Sequence, residues 1–287
     1  MNTDRFRIPS GKRVSLDKYD PADSGPFGER GETDGLLEKQ IGQIGSLQDR
    51  LYAENQWSLL LIFQAPDAAG KDSTITRVLS GLNPQGATAK AFKSPSSEEL
   101  SHDYLWRCYK ALPERGKIGI FNRSHYEEVL ILKVQPELLA GERIPPSLIT
   151  KQVWKERYED INAMERHLAR NGTVIRKFYL NVSKGEQKKR FLERIDDPSK
   201  NWKFGAEDIE KRKQWKAYRK AYEDMLSETS TSWAPWYVIP ADRKWFTRLA
   251  VAQVVRETLE TIDPKVPVLS ARQRASLQTS KQALLKE

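Results

Sequence analysis

The stretch LLLIFQAPDAAGKDST, Leu59 to Thr74, decides the fold. Ser58 to Phe63 are apolar or nearly so and read as a strand buried on both faces of a parallel sheet. Ala65, Pro66, Asp67, Ala68, Ala69 and Gly70 then form a loop of small residues ending on Lys71. From Asp72, Ser73 and Thr74 onward a helical pattern begins, with Ile75 and Val78 on its apolar side. Strand, small-residue loop, Gly-Lys and helix is the layout of a phosphate-binding loop. Small side chains let backbone N–H groups turn inward, the helix start adds a positive dipole end, and the lysine neutralises phosphate oxygens.

Two departures from the strict pattern carry information. Ala65 stands where a first glycine is usual, and Asp72 follows the lysine where Ser or Thr is usual, with Ser73 and Thr74 displaced along the helix. Asp67 places a carboxylate inside an anion-binding loop. That is repulsive unless a cation intervenes, so Asp67 points to Mg²⁺ between protein and phosphate. The short motif alone also arises by chance in strand-to-helix turns; the flanking strand and helix weigh against that reading.

Working outward, residues 1–33 are rich in Pro, Gly, Asp and Ser and read as an extended arm that orders only against another surface. Leu37, Ile41, Ile44, Leu47 and Leu51 have helical spacing within Leu36–Tyr52. Thr88–Phe92 is a short strand, followed by Lys93. Ser96 and Glu99 form a capping-box pattern that predicts a helix to about Leu112, with Leu100, Tyr104 and Cys108 on its inner face. Ile118–Phe121 is a second buried strand, ending in Asn122-Arg123-Ser124-His125-Tyr126. Further helices are predicted over Ser147–Asn171, Ser183–Ile195, Ala206–Leu226 and Trp245–Ile262, and strands over Thr173–Asn181 and Trp236–Pro240. The segment from Pro264 has no core pattern. The division expected is therefore an arm (1–33), one α/β domain (34–265) with a lid at about 183–220, and a tail (266–287). Strands alternating with helices predict three layers, α/β/α, around a parallel sheet, with ligands at the C-terminal strand ends. The loop at Ala65–Lys71 and the turn at Asn122–Arg123 both fall there.

Composition narrows the partners. A net charge of +9 favours an acidic one, and between Glu186 and Lys220 twelve Lys/Arg face seven Asp/Glu. That segment also carries Trp202, Phe204, Trp215 and Tyr218, so it is more than a solvated face. Cys108 is the single cysteine, which excludes an internal disulfide or a thiolate metal cluster. No apolar run approaches the ~20 residues that span a bilayer, and the first residues have no secretory pattern, so a cytoplasmic location and no membrane partner are expected.

The motifs APDAAGKD, FKSP, HDYLWR, FNRSHYEEVL, QKKRFLERIDDPSKNWKF and APWYVIPADRKW, in this order over about residues 36–262, resemble the polyphosphate kinase 2 family. The resemblance implies a phosphate-loop kinase fold like that of thymidylate kinase, and transfer of the terminal phosphoryl group of inorganic polyphosphate to a nucleoside mono- or diphosphate with Mg²⁺, Mn²⁺ as a substitute. It further implies a reversible reaction and a homo-oligomer, dimer or tetramer. By motif, Asp67, Lys71 and Arg123 form the transfer centre, and Arg190, Arg194, Lys200 and Lys203 lie in the lid. Asn122 replaces the family's usual Asp, leaving metal contact through water, and resembles the subgroup accepting both AMP and ADP. Ala68, Ala69, Gly70, Asp72 and Ser73 of the loop, with Lys90 and Lys93 beside it, complete the phosphate-binding set, and Glu127 is a further candidate metal ligand. His102, His125 and His167 are not needed as nucleophiles, because direct transfer to an ionised phosphate requires none.

Three other readings stay open on residues alone. An ordinary ATP-dependent nucleotide kinase would share the fold and differ in the donor. A basic nucleic-acid-binding protein would explain the charge but not the strand-loop-helix, and no nucleic-acid-reading motif is present, so no nucleic-acid partner is expected. A regulatory nucleotide-binding module would bind without turnover.

Overall fold

The computed structural model describes residues 1–287. Its centre is a five-stranded parallel sheet in the order β2-β3-β1-β4-β5. The strands are β1 (Ser58–Gln64), β2 (Ala87–Ala91), β3 (Ile118–Asn122), β4 (Thr173–Asn181) and β5 (Trp236–Pro240). Every residue of β1 is buried, as its central place and apolar run require. Leu59, Leu61 and Phe63 face one core while Leu60 and Ile62 face the other, which is the two-residue period of a strand packed on both sides.

Ten helices complete the layers: α1 (Gly31–Glu54), α2 (Lys71–Val78), α3 (Trp106–Tyr109), α4 (Ile131–Val134), α5 (Val153–Arg170), α6 (Lys184–Asp196), α7 (Ala206–Lys213), α8 (Trp215–Thr229), α9 (Lys244–Ile262) and α10 (Ala271–Leu284). Helices α1, α2 and α9 supply the first core together with Phe6. Helices α5 and α8 cover the second, against Tyr126, Val129 and Leu130. No helix is long and apolar enough to cross a membrane.

Several sequence expectations give way to local chemistry. The helix predicted over Ser96–Leu112 is two separate turns. The capping box forms, with Ser96 N donating to Glu99 Oε2 at 2.8 Å and Glu99 N to Ser96 Oγ at 3.2 Å. The turn stops after Ser101 because His102 is extended, and Asp103 opens a new turn by accepting from Leu105 N at 2.9 Å. Only Cys108 of the expected inner face is buried; Leu100 and Tyr104 are half-exposed. The predicted helix over Ala206–Leu226 breaks at Gln214 into α7 and α8. The helix expected from Ser147 begins at Val153, after a single 3₁₀ turn set by Pro145-Pro146.

The N-terminal arm orders against its own chain. Ile8 N donates to Trp236 O at 2.9 Å and Arg7 bridges Tyr237 antiparallel, so the arm covers the open edge of β5. Val14 N and Leu16 N bond Ser227 Oγ and Glu223 Oε1 of α8 at 2.9 and 2.7 Å, and Ile8, Val14 and Leu16 are buried. The tail carries helix α10, capped by Ser270 and Gln273, with no buried residue.

Candidate active site

The site is built where β1 and β3 end side by side. Phe63 lies in register with Asn122, and Phe63 O accepts from Arg123 N at 3.1 Å. From that anchor the two strand ends diverge, one into the small-residue loop and the other into the Arg123–Glu127 turn. Gly70 has φ +96°, the left-handed region that glycine enters without penalty, and α2 starts on the next residue. Ala68 and Arg123 take φ near +62°, a costly conformation for residues with a Cβ. Both strained residues are held from outside.

The loop is held by α6. Arg190, 4% exposed, donates to Ala68 O and Ala69 O at 3.1 and 2.9 Å, to Ala241 O and Asp242 O at 2.7 and 3.0 Å, and to Glu186 Oε1 at 2.8 Å. Its guanidinium thus ties the phosphate loop to the segment entering α9. Gln187 Nε2 adds a bond to Asp67 O at 2.9 Å. Removing this clamp as Arg190→Met should lower unfolding stability by about 2–4 kcal/mol, and Arg190→Lys should not restore it, because an ammonium cannot reach four carbonyls in a fixed fork. Urea unfolding checks this. Unchanged stability with only a raised KM would instead mark Arg190 as a substrate-facing cation.

The charged centre is compact. Arg123 Nη2 meets Asp67 Oδ1 at 2.8 Å, and Lys211 Nζ lies 3.5 Å from Asp67 Oδ2. Burial pushes the Asp67 carboxyl up, but Arg123, Lys211 and Lys71 outweigh it and hold it below its ordinary value. Burial raises Glu127 above its ordinary value in spite of Arg123 and Lys71. The Lys71 ammonium is lowered by burial and by Arg123, against Glu127, Asp67 and Asp72. Asn122 Nδ2 donates to Asp72 Oδ1 at 2.7 Å, linking the end of β3 to the first turn of α2.

Asp67, Arg123, Glu127 and Lys211 open on a common cleft. Its walls include Arg123, Glu127, Lys211 and Arg212 on the charged side, and Tyr179, Trp215, Tyr218 and Tyr222 on the aromatic side. No group of three or more His, Cys, Asp or Glu is arranged to hold a metal ion by itself. Asp67 and Glu127 nonetheless face the same cleft, and Mg²⁺ commonly binds through one or two carboxylates and completes its shell with phosphate oxygens and water. The donor set fits an ion that arrives with phosphates.

Residues 29–267 match the profile of the family Polyphosphate kinase 2 (PPK2). The chain belongs to this family. It is 50% identical over 288 residues to the ADP-polyphosphate phosphotransferase of Rhodopseudomonas palustris, covering 100% of this chain and 99% of the relative. It is 42% identical to the AMP/ADP-polyphosphate phosphotransferase of Meiothermus ruber, covering 92% and 95% respectively. The crystal structure of polyphosphate kinase 2 from Arthrobacter aurescens superposes with a TM-score of 0.86 at 38% identity, over 96% of this chain and 95% of that one. The fold is thus that of the phosphate-loop kinases.

Within this family frame, the residues singled out from sequence fall into three groups. Asp67, Lys71 and Arg123 converge, with Ala68, Ala69, Gly70, Asp72, Ser73, Asn122 and Glu127 around them. Lys90 and Lys93 are exposed on and just beyond the edge strand β2, Lys90 opposite Phe121 and one residue short of the Asn122 pairing. The lid residues do not converge: Arg190 is the buried clamp, Lys200 pairs with Asp197 at 2.5 Å, Lys203 sits 4.9 Å over the Trp202 ring, and Arg194 reaches Lys203 O at 3.4 Å. The cations of the lid segment that do reach the cleft, Lys211, Arg212 and Arg219, were missed. They lie in the basic run already noted, but only the break at Gln214 sets α7 and its Lys211 beside Asp67.

Proposed function

We propose that the protein transfers the terminal phosphoryl group of inorganic polyphosphate to AMP and ADP, forming ADP and ATP, in a reaction that runs in both directions. The observation that carries this reading is the pairing of Arg123 and Lys211 with one carboxylate, Asp67, which Lys71 also lowers from the start of α2, at the mouth of a phosphate-binding loop, in a chain of this family. The relatives' names differ in acceptor, ADP for that of R. palustris and AMP/ADP for that of M. ruber.

The chemistry asks for alignment and charge neutralisation. An acceptor phosphate is already ionised at neutral pH, so no general base is required. Amides of the loop and of the first turn of α2, free of intrahelical partners, hold oxygens of the donor chain. Lys71 and Arg123 meet the charge that develops on the moving phosphoryl group, and Lys211 keeps Asp67 ionised and fixed. The aromatic side of the cleft, where half-buried Trp215 lies beside the buried Tyr179 and Tyr222, is where the acceptor's nucleoside would rest. A divalent ion, Mg²⁺ or Mn²⁺, held by Asp67 with Glu127 and, through water, Asn122, would neutralise phosphate charge. Nucleotide acceptors place the reaction in the cytoplasm, and a homo-oligomer belongs to the same reading.

The acceptor assignment is tested by giving the protein Mg²⁺ and polyphosphate with AMP alone, then ADP alone, and separating products by ion-exchange chromatography. ADP followed by ATP from AMP supports the dual-acceptor reading. Turnover of ADP alone would overturn it, and phosphorylation of AMP only when ATP is supplied would transfer the function to an ordinary nucleotide kinase.

A further inference from the structure

One polar atom in the cleft has no explanation in the fold. The Tyr218 hydroxyl is enclosed and has no hydrogen-bond partner within the chain. A buried hydroxyl without a partner is costly, and native structures keep few of them. Tyr218 sits in the first turn of α8, its N–H bonded to Gln214 O at 3.1 Å, so the break that starts this helix also turns the ring into the cleft. It lines that cleft with Asp67, Arg123 and Glu127. Burial pushes the phenol up to about 12, assisted by Glu127 and Asp67 and opposed by Arg123. The group therefore keeps its proton under all working conditions.

An acceptor phosphate at neutral pH offers lone pairs and almost no protons, so the two groups can pair in one sense only, with Tyr218 donating. We propose that the Tyr218 hydroxyl donates a hydrogen bond to a non-attacking oxygen of the nucleotide's acceptor phosphate and so aligns its attacking oxygen with the terminal phosphoryl group of polyphosphate, making Tyr218 a further catalytic residue. This rests on the phosphotransfer reading above. The contact needs no proton transfer and no bond change at Tyr218: its O–H remains intact while the acceptor oxygen forms the new P–O bond and the donor chain's terminal P–O bond breaks.

Tyr218→Phe removes the hydroxyl and leaves the ring that packs beside Tyr222. With polyphosphate, Mg²⁺ and ADP, kcat is expected to fall on the order of 10²-fold, as when a reacting group loses its alignment for in-line attack, with KM for polyphosphate within about twofold. The thermal midpoint should stay level or rise, since an unpaired buried polar atom is deleted. A variant as active as wild type would overturn the proposal, as would a fall in kcat accompanied by a comparable loss of thermal stability. Absence of polyphosphate-dependent turnover in the wild-type protein, measured alongside, would overturn the parent reading and this one with it. Wild-type turnover with an unimpaired variant would overturn the role of Tyr218 alone.

Discussion

Lys71→Ala is expected to reduce the rate of phosphoryl transfer by about 10²–10³-fold while leaving the fold intact. In-line transfer between phosphates spreads charge over the equatorial oxygens of the moving group, and a fixed cation beside them is worth several kcal/mol in a cleft screened from water. Lys71 opens α2 directly after Gly70, so its position follows from the backbone of the loop. The ion pairs of the centre, Arg123–Asp67 and Lys211–Asp67, do not include it. Removing it breaks no pair and relieves repulsion with Arg123, which already lowers the Lys71 ammonium together with burial. Melting should therefore be unchanged or slightly raised. Rate loss without stability loss, by stopped assay and thermal melting on the same preparation, is the signature. A variant retaining more than about a tenth of the activity would remove Lys71 from the centre.

The largest effect on stability is expected behind the site. Lys177, in the middle of β4, is fully buried and donates to Glu165 Oε2 at 2.6 Å, Tyr126 OH at 2.7 Å and Thr229 O at 2.7 Å. Tyr126 OH in turn donates to Glu165 Oε1 at 2.7 Å. Burial dominates at the ammonium and lowers Lys177 to about 8. At the carboxyl, burial pushes upward but Lys177 and His125 outweigh it, and Glu165 stays below its ordinary value. Glu165→Leu leaves the ammonium buried without its counter-ion and should cost about 3–5 kcal/mol. Adding Lys177→Met to that change should recover most of the loss, because two apolar side chains of similar volume carry no desolvation penalty. Chemical denaturation of both variants reads this. Equal instability of the single and double variants would mean that the pair contributes through shape and not through charge. Glu165, lowered in the fold, contributes stability present above the unfolded carboxyl value of about 4.3 and lost as pH falls through the folded value.

The two effects are connected through one turn of chain. Tyr126, held by Lys177 and Glu165, lies three residues after the left-handed Arg123 and next to Glu127. Ser124 caps the turn, accepting from Tyr126 N at 3.2 Å, and Gln64 Nε2 donates to Ser124 Oγ at 3.2 Å. The strained residue that aims a guanidinium at Asp67 is thus braced by a buried polar network on one side and by the end of β1 on the other.

What the sequence made legible follows the physics of each element. Strands β4 and β5 coincide with their predicted limits: β5 is a continuous buried apolar run, and β4, although Arg176 and Lys177 interrupt it, is bounded by the Asn171-Gly172 turn and the Ser183 cap. The loop was legible from its small residues and Gly-Lys between a strand and a helix, and Arg123 only through the motif it shares with the family. The arm was not legible: Ile8, Val14 and Leu16 are isolated apolar residues among turn formers, and their burial depends on the distant edge of β5 and on α8. The helix expected after Ser96 failed because a capping box specifies a start and not a length. Arg190 read as a lid cation because charge counting cannot tell a guanidinium facing solvent from one consumed by backbone carbonyls. Lys211 and Tyr218 were hidden for a related reason, since a helix break at Gln214 has no Gly or Pro to announce it.

The central claim is direct transfer from polyphosphate at this loop. It is tested most directly by ³¹P NMR of the purified protein with Mg²⁺, polyphosphate and ADP, beside the Lys71→Ala variant. The expected result is loss of polyphosphate phosphoryl groups matched one for one by growth of the ATP γ-phosphate signal, with both changes suppressed in the variant. ATP growth that the variant retains in full, or no change in either signal with wild-type protein, would contradict it.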